Sequence, residues 1–375
     1  MRRLPVLPIA LLLLAAPAAA QDGTLVYRLG RDTVAVEQFT RTPTRFHGDM
    51  VTRGGAAVVR TQYVLTVANG RVTAATVRRT AADGSALPNT PLEYRFAFRG
   101  DSATRTLVFA DSQVSRTFAA PNAFPALPIF VYAPLELLRA RTPHDSVPSI
   151  ALAGNGVGYL GIEAFRGDTV RLRGAPYAMS LVFDGRGGLI GLSGAYTTNK
   201  AIAQRTTGRI DMDALARRMR PTGVLSPRQV AQASITQAPI MISYGSPAVR
   251  GRTVWGGALI PMDSIWRTGA NEATLLATSR PIQLGGLHVP AGLYSLWTQL
   301  TPSGAVLIVN SQTGQWGTQY DASHDLGRAP LELSPTDAFV EDLTITIRPL
   351  NGARGVIELA WGDRKASVGF QVLAR

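Results

Sequence analysis

Short alternations of apolar and polar residues recur along most of the chain, and they predict strands. Residues 33–40 read T-V-A-V-E-Q-F-T, which puts Val34 and Val36 on one inward face; Phe39 joins them only across a bulge. Residues 58–67 give a second strand, Asn69-Gly70 is a hairpin signal, and residues 71–79 return antiparallel. Tyr94-Arg-Phe-Ala-Phe98 keeps a strict period of two, and Gly100-Asp101 turns it into 104–109. Further on, 168–173 and 179–183 read as strands, and Asp184-Gly-Arg-Gly187 turns the second into 189–192. Antiparallel hairpins dominate this half.

The pattern breaks at 124–140, where Pro125, Pro128 and Pro134 punctuate an apolar run ending in Pro134-Leu-Glu-Leu-Leu-Arg-Ala140. Pro134 suits a first helical turn, so one short helix is expected to pack on the sheet. A long curved antiparallel sheet closed by a helix is similar in outline to the half-barrels of envelope lipoprotein carriers, a likeness of fold with no motif behind it. Residues 211–220 predict a helix capped by Asp211, with Leu215 and Met219 four apart. Ser226-Pro-Arg-Gln229 offers the start of another. Beyond it, 240–244, 272–277, 293–299, 306–310, 343–348, 355–361 and 367–373 are short strand patterns, and Gly285-Gly286 is a hairpin turn. The chain is therefore expected to be mainly β. A curved antiparallel sheet at 21–204 is followed by a helical connector at 205–232 and a β-sandwich, jelly-roll-like, at 233–375.

The first residues bear on compartment. Arg2 and Arg3 precede an apolar core at 4–14 and the small residues Ala18-Ala19-Ala20, the pattern of a signal peptide at 1–20 cleaved before Gln21. The mature chain is expected to be periplasmic or secreted, with no transmembrane segment of its own. With no Cys, neither disulfides nor thiol chemistry is open to it. Of 38 basic residues only Lys200 and Lys365 are lysines. From 230 to 375 ten basic and ten acidic residues cancel, whereas 22–229 carries 26 basic against 15 acidic. A basic N-terminal domain could meet an anionic envelope surface; nucleic acid is not expected outside the cytoplasm.

Candidate chemistry concentrates in one dense block. Arg252, Trp255, Trp266, Arg267, Asn271, Glu272, His288, Tyr294 and Trp297 lie there among glycines and prolines. The strings G-R-x-x-W-G-G, W-R-T-G-A-N-E-A-T, V-P-A-G-x-Y-S-L and Q-W-G resemble the bacterial exported family known as domain of unknown function 2911, over about 233–375. The resemblance implies a domain type and an exported setting, and no activity. No family resemblance is identified for the N-terminal part.

Read on their own chemistry, Arg267 could grip a carboxylate or sulfate, Asn271 could meet hydroxyls, and the Trp side chains could stack on sugar rings. The structural alternative is an inward Arg267–Glu272 pair bracing the sandwich, with the Trp side chains in its core. Hydrolase and nucleotide signatures are missing: no G-x-S-x-G, no H-E-x-x-H, no P-loop. Gly156-Val-Gly-Tyr-Leu-Gly161 has the letters of a dinucleotide fingerprint without a βαβ unit around it, and Thr197-Thr-Asn-Lys200 is a weak S/T-x-x-K. His47, His144, His288 and His324 are too far apart to pair on a metal. Asp321, His324 and Asp325 are the one weak metal cluster, and no cofactor is expected.

Three functions follow. The first is non-catalytic binding of a small molecule or envelope glycan by the C-terminal domain, with carbohydrate as the first class. The second is a hydrolase using Glu272 or His288, with Arg267 as an anion clamp. The third is a lipid or hydrophobe carrier, which requires a cavity under the N-terminal sheet near Phe96, Phe98, Ile129, Phe130 and Leu137.

Overall fold

The computed structural model describes residues 20–139, 146–173, 179–195, 197 and 200–374. The expected signal peptide, save Ala20, lies outside them, as do His144 and two residues of the S/T-x-x-K string, Thr198 and Asn199. The fold is mainly β, with two large sheets and a single α-helix among the described residues.

The N-terminal sheet has fifteen strands, and almost every strand pairs with its neighbour in sequence. The first strand, Gln21–Leu29, also pairs with the last, Ile202–Thr206, so the two arms of the meander meet at the centre of the sheet. Among the described residues the one parallel strand pair of this sheet joins Phe124–Ala126 to Ser146–Ala151. Aromatic and branched side chains from both arms, among them Tyr27, Phe46, Leu65, Ile150 and Leu172, form one core.

The expected helix at 134–140 is a 3-10 segment, Ala133–Leu138, with every residue buried in that core. It is anchored by Glu37, a fully buried carboxylate. Glu37 accepts from the hydroxyls of Tyr27 (2.5 Å) and Tyr63 (2.7 Å) and from the amides of Tyr132 (3.1 Å) and Ala133 (3.1 Å). Those amides open the 3-10 segment, so the carboxylate does the work of a cap from across the sheet. Burial pushes Glu37 up to about 7, although all four hydrogen bonds favour the ionised form and offset part of that rise.

Glu37 takes the inward place expected of Val36 on its strand, Asp32–Arg41. Ala35, Glu37 and Phe39 point to the core with Val34, because the register against Gln21–Leu29 skips Val34 between the pairs Tyr27–Ala35 and Arg28–Thr33; the expected bulge is therefore present. Val36 lies on the opposite face, packed with Val51, Val58, Met212 and Ala216. Helix α1 (Met212–Arg218) supplies the last two and covers that outer face, and Asp211 caps it by accepting from the Ala214 amide. Residues 226–229 do not begin a second connector helix: Arg228–Ile235 is a strand of the C-terminal sheet. Its full antiparallel register with Ala238–Gly245 satisfies backbone groups that a short helix would leave to water.

The C-terminal sheet has ten strands around a second core that holds Ile242, Leu276, Leu307, Leu359 and Trp361. Its last two strands are long rather than short, Asp325–Pro349 and Arg354–Val372, and their mutual register shifts between Pro335 and Thr344. The hairpin Ile282–Leu284 and Leu287–Val289 pairs on Arg354–Val372. The two sheets touch: the Arg31 amide donates to Arg250 O (3.0 Å), and Arg250 pairs with Asp32.

Candidate functional site

The segment W-R-T-G-A-N-E-A-T leaves the short strand Ile265–Trp266 and doubles back into Thr274–Thr278. Thr268 (φ 52°) and Asn271 (φ 64°) occupy the left-handed region, costly for a β-branched residue, and the buried Thr268 is locked by Thr298 at 2.8 Å. The Q-W-G loop is strapped across this turn: Ala273 donates to Gln315 O and the Gly317 amide to Asn271 O. A Cβ at Gly317 would stand 1.8 Å from Arg267 Cδ, so only glycine lets the strap lie on the arginine.

Of the aromatic residues expected to stack on sugars, Trp266 and Trp297 are buried and Trp255 is half-buried. Trp297 is 1% exposed, donates to Ser295 Oγ (2.9 Å) and meets Tyr320 edge-on. Trp266 stacks on Trp361 (5.7 Å), and Trp255 donates to the Trp361 carbonyl (2.9 Å). Tyr294 is buried and donates to Pro290 O (3.1 Å). Asn271 backs the turn through its carbonyl, as above. The bracing pair Arg267–Glu272 is not made either: Glu272 is exposed and faces Arg228 at 3.5 Å. His288 stands exposed on the edge hairpin. Neither Glu272 nor His288 lines the crevices beside Arg267, so a hydrolytic pair with that clamp is not assembled.

The weak metal cluster does not converge. Asp321 caps the turn Ala322–His324 by accepting from Ser323, and Asp325 accepts from Asn310 and Tyr320. Among the described residues no three His, Asp or Glu side chains gather to hold a metal.

Arg267 is 7% exposed. One of its terminal nitrogens donates to Gly317 O (3.2 Å), its Nε has no acceptor, and burial alone lowers its pKa. Arg252 donates to the carbonyls of Val249 (2.9 Å) and Ala248 (2.7 Å), and burial pulls it down to about 10.

A larger space lies in the N-terminal sheet. A cavity of about 570 Å³ is walled by Leu29, Val34, Met50, Val59, Phe130 and Leu152, and the exposed Ile129, Gly55 and Gly223 stand at its edge. Sequence reasoning placed Ile129 and Phe130 at such a cavity correctly. Phe96 and Phe98 stack on each other (6.2 Å) away from it, and Leu137 belongs to the packed core. Phe130 has φ 72°, an outlier for a bulky residue, in a turn closed by the Val131 amide on Pro128 O (3.0 Å). Its ring leans on Tyr27 (5.3 Å), and the Glu37 clamp at Tyr132 and Ala133 fixes the chain just beyond it.

The cavity has a polar spot that the sequence did not disclose. Thr61 and Arg79 are cross-strand partners. Thr61 and Arg79 both line the cavity, and Thr61 Oγ and Arg79 Nε are buried without a hydrogen-bond partner. Buried polar atoms are nearly always paired, so two neighbouring orphans on residues that line one space mark a polar spot in its wall.

Comparison with known proteins adds little about activity. No curated protein matches the chain. A crystal structure of a DUF1089 family protein from Pseudomonas aeruginosa is similar at 8% identity and a TM-score of 0.30, covering 50% of this chain and 95% of that one. No family model matches the N-terminal part. Residues 226–370 match the family model described as "Protein of unknown function (DUF2911)", so the C-terminal part is the one whose family is recognised.

Proposed function

We propose that the N-terminal sheet binds a small hydrophobe carrying a hydrogen-bond acceptor, and that the protein does so without catalysis, outside the cytoplasm. The observation behind this is the cavity of about 570 Å³ with apolar walls and the paired orphans Thr61 and Arg79. Its volume falls within the roughly 300–1,000 Å³ usual for small-molecule sites. Burial of an apolar chain supplies the affinity, at about 25 cal/mol per Å² of surface removed from water. Thr61 and Arg79 supply orientation, by donating to a carboxylate, ester or carbonyl oxygen. The strained Phe130 turn keeps one wall in place, the kind of cost a binding site retains.

Carbohydrate binding by the C-terminal sheet is the weaker reading, because Trp266 and Trp297 are buried and the Trp255 indole N–H is committed to Trp361 O.

The test is a fluorescence titration of the full chain with N-phenyl-1-naphthylamine. Saturable enhancement is expected in the wild type. Thr61→Phe, which fills the cavity, should weaken binding by at least about tenfold, equivalent to about 1.4 kcal/mol. Leu152→Trp, at a half-buried wall position, is the second variant should Thr61→Phe unfold. Unchanged binding in a folded variant would remove the proposal.

A further inference from the structure

We infer that the seam between the two sheets is a binding site for a small oxyanion, with Lys200, Arg252 and Arg267 as its cationic wall. The three come from different parts of the fold. Lys200 follows the strand Leu189–Ser193 of the N-terminal sheet, and the two arginines come from the block that carries the DUF2911 resemblance.

Two crevices flank Arg267, of about 90 and 170 Å³. Both are bordered by Lys200 and Trp266, and the smaller one also by Arg250, Arg252 and Asn271. Neither lining contains an Asp or Glu among the described residues. Both volumes fall below the range of sites for drug-sized molecules and suit a compact ion.

The charges are only partly compensated from within: the carboxylates Glu341 and Asp32 act on Arg252. Arg250 has Asp32, but Arg267 has no carboxylate within ion-pair distance among the described residues, and its buried Nε is an orphan. Lys200 donates to the carbonyls of Ala195 (3.0 Å) and Ala258 (3.1 Å), and these carry no charge. Burial pulls the Lys200 ammonium down to about 8, and Arg267 and Arg252 push it the same way. Gathering buried like charges is costly unless something of opposite sign joins them. A phosphate, sulfate or carboxylate would give Arg267 a counter-charge, neutralise the seam and join the two sheets in one step.

The ion has two possible sources, free in solution or as the head of a ligand in the neighbouring cavity, since Leu29 and Leu225 border both spaces. The second version rests on the hydrophobe reading; the site itself does not.

The chain has two lysines, which makes the test direct. Full-length protein labelled with 13C-lysine should give two Cε–Hε signals, with Lys365, paired to Glu358, as the internal control. Inorganic phosphate, added against chloride at equal ionic strength, is expected to shift the Lys200 signal saturably and leave Lys365 still. Arg267→Gln should raise the apparent Kd at least about tenfold, as expected for losing a charge-assisted contact. Arg252→Gln serves the same purpose if Arg267→Gln fails to fold. A parallel titration uses palmitate, with hexadecanol as its uncharged counterpart. A Lys200 shift with palmitate but not hexadecanol assigns the ion to the cavity ligand; a shift with phosphate but not palmitate assigns a free oxyanion. If neither phosphate nor palmitate moves Lys200, or if both arginine variants respond like the wild type, the inference is overturned. Dye binding in the cavity is read separately, so that reading can fail or stand on its own.

Discussion

The buried Glu37 makes the stability of the N-terminal sheet depend on pH in an unusual direction. Its carboxyl is raised from 4.5 to about 7 in the fold. Between those values the folded chain holds a proton that the unfolded chain releases, so acidification stabilises. This contribution is fully present below about 4.5 and is lost as pH rises through about 7. At about 1.4 kcal/mol per pH unit, the shift corresponds to roughly 3 kcal/mol between pH 4.5 and pH 8. Other carboxylates titrate in the same range, so the quantity to read is the difference between wild type and Glu37→Gln, which lacks this titration. Urea unfolding should be followed by far-UV circular dichroism. All five tryptophans lie at 255 and beyond, so tryptophan emission follows the C-terminal sheet and separates its transition from that of the N-terminal one. The wild-type advantage over Glu37→Gln should shrink by roughly 3 kcal/mol from pH 4.5 to pH 8. Parallel pH profiles for the two proteins, or an advantage that grows with pH, would refute the reasoning and mean that the four hydrogen bonds outweigh burial.

Other consequences can be read from single contacts. Trp297→Ala should cost about 3–5 kcal/mol in the tryptophan-detected transition, because the indole is fully buried and paired with Ser295 and Tyr320. Gly317→Ala should cost about 1–3 kcal/mol in the same assay, since its Cβ would collide with Arg267. Asp211→Ala should cost about 1 kcal/mol and raise hydrogen exchange in α1, whose N-terminal cap it removes; exchange unchanged from wild type would deny the cap any role.

Much of the architecture was legible because hairpin turns and period-two alternation are local signals. Asn69-Gly70, Gly100-Asp101 and Gly285-Gly286 all sit between paired antiparallel strands. Val34 and, across a bulge, Phe39 reach the core as expected, but Val36 was misplaced because alternation assumes that charge points outward, and Glu37 points inward to cap a segment some 95 residues away. Arg228–Ile235 was mistaken for a helix start because Ser226-Pro227 satisfies capping chemistry, while the pairing that decides the matter lies in Ala238–Gly245.

The site was less legible still. Aromatic and arginine-rich composition marked the block at 252–297, yet composition cannot tell a stacking Trp from a core Trp. Lys200 reaches Arg267 only through the docking of the two sheets, which no local pattern encodes. Thr61 and Arg79 are ordinary strand residues in sequence; their lack of partners appears only when the space above them is seen.

Hydrophobe binding in the N-terminal cavity is the claim on which the functional account turns, and native mass spectrometry of the full chain with palmitate addresses it most directly. One palmitate bound per chain in the wild type, and a marked loss in folded Thr61→Phe and Leu152→Trp, is the predicted result. Equal occupancy in the wild type and both folded variants, or no bound palmitate at all, would contradict it.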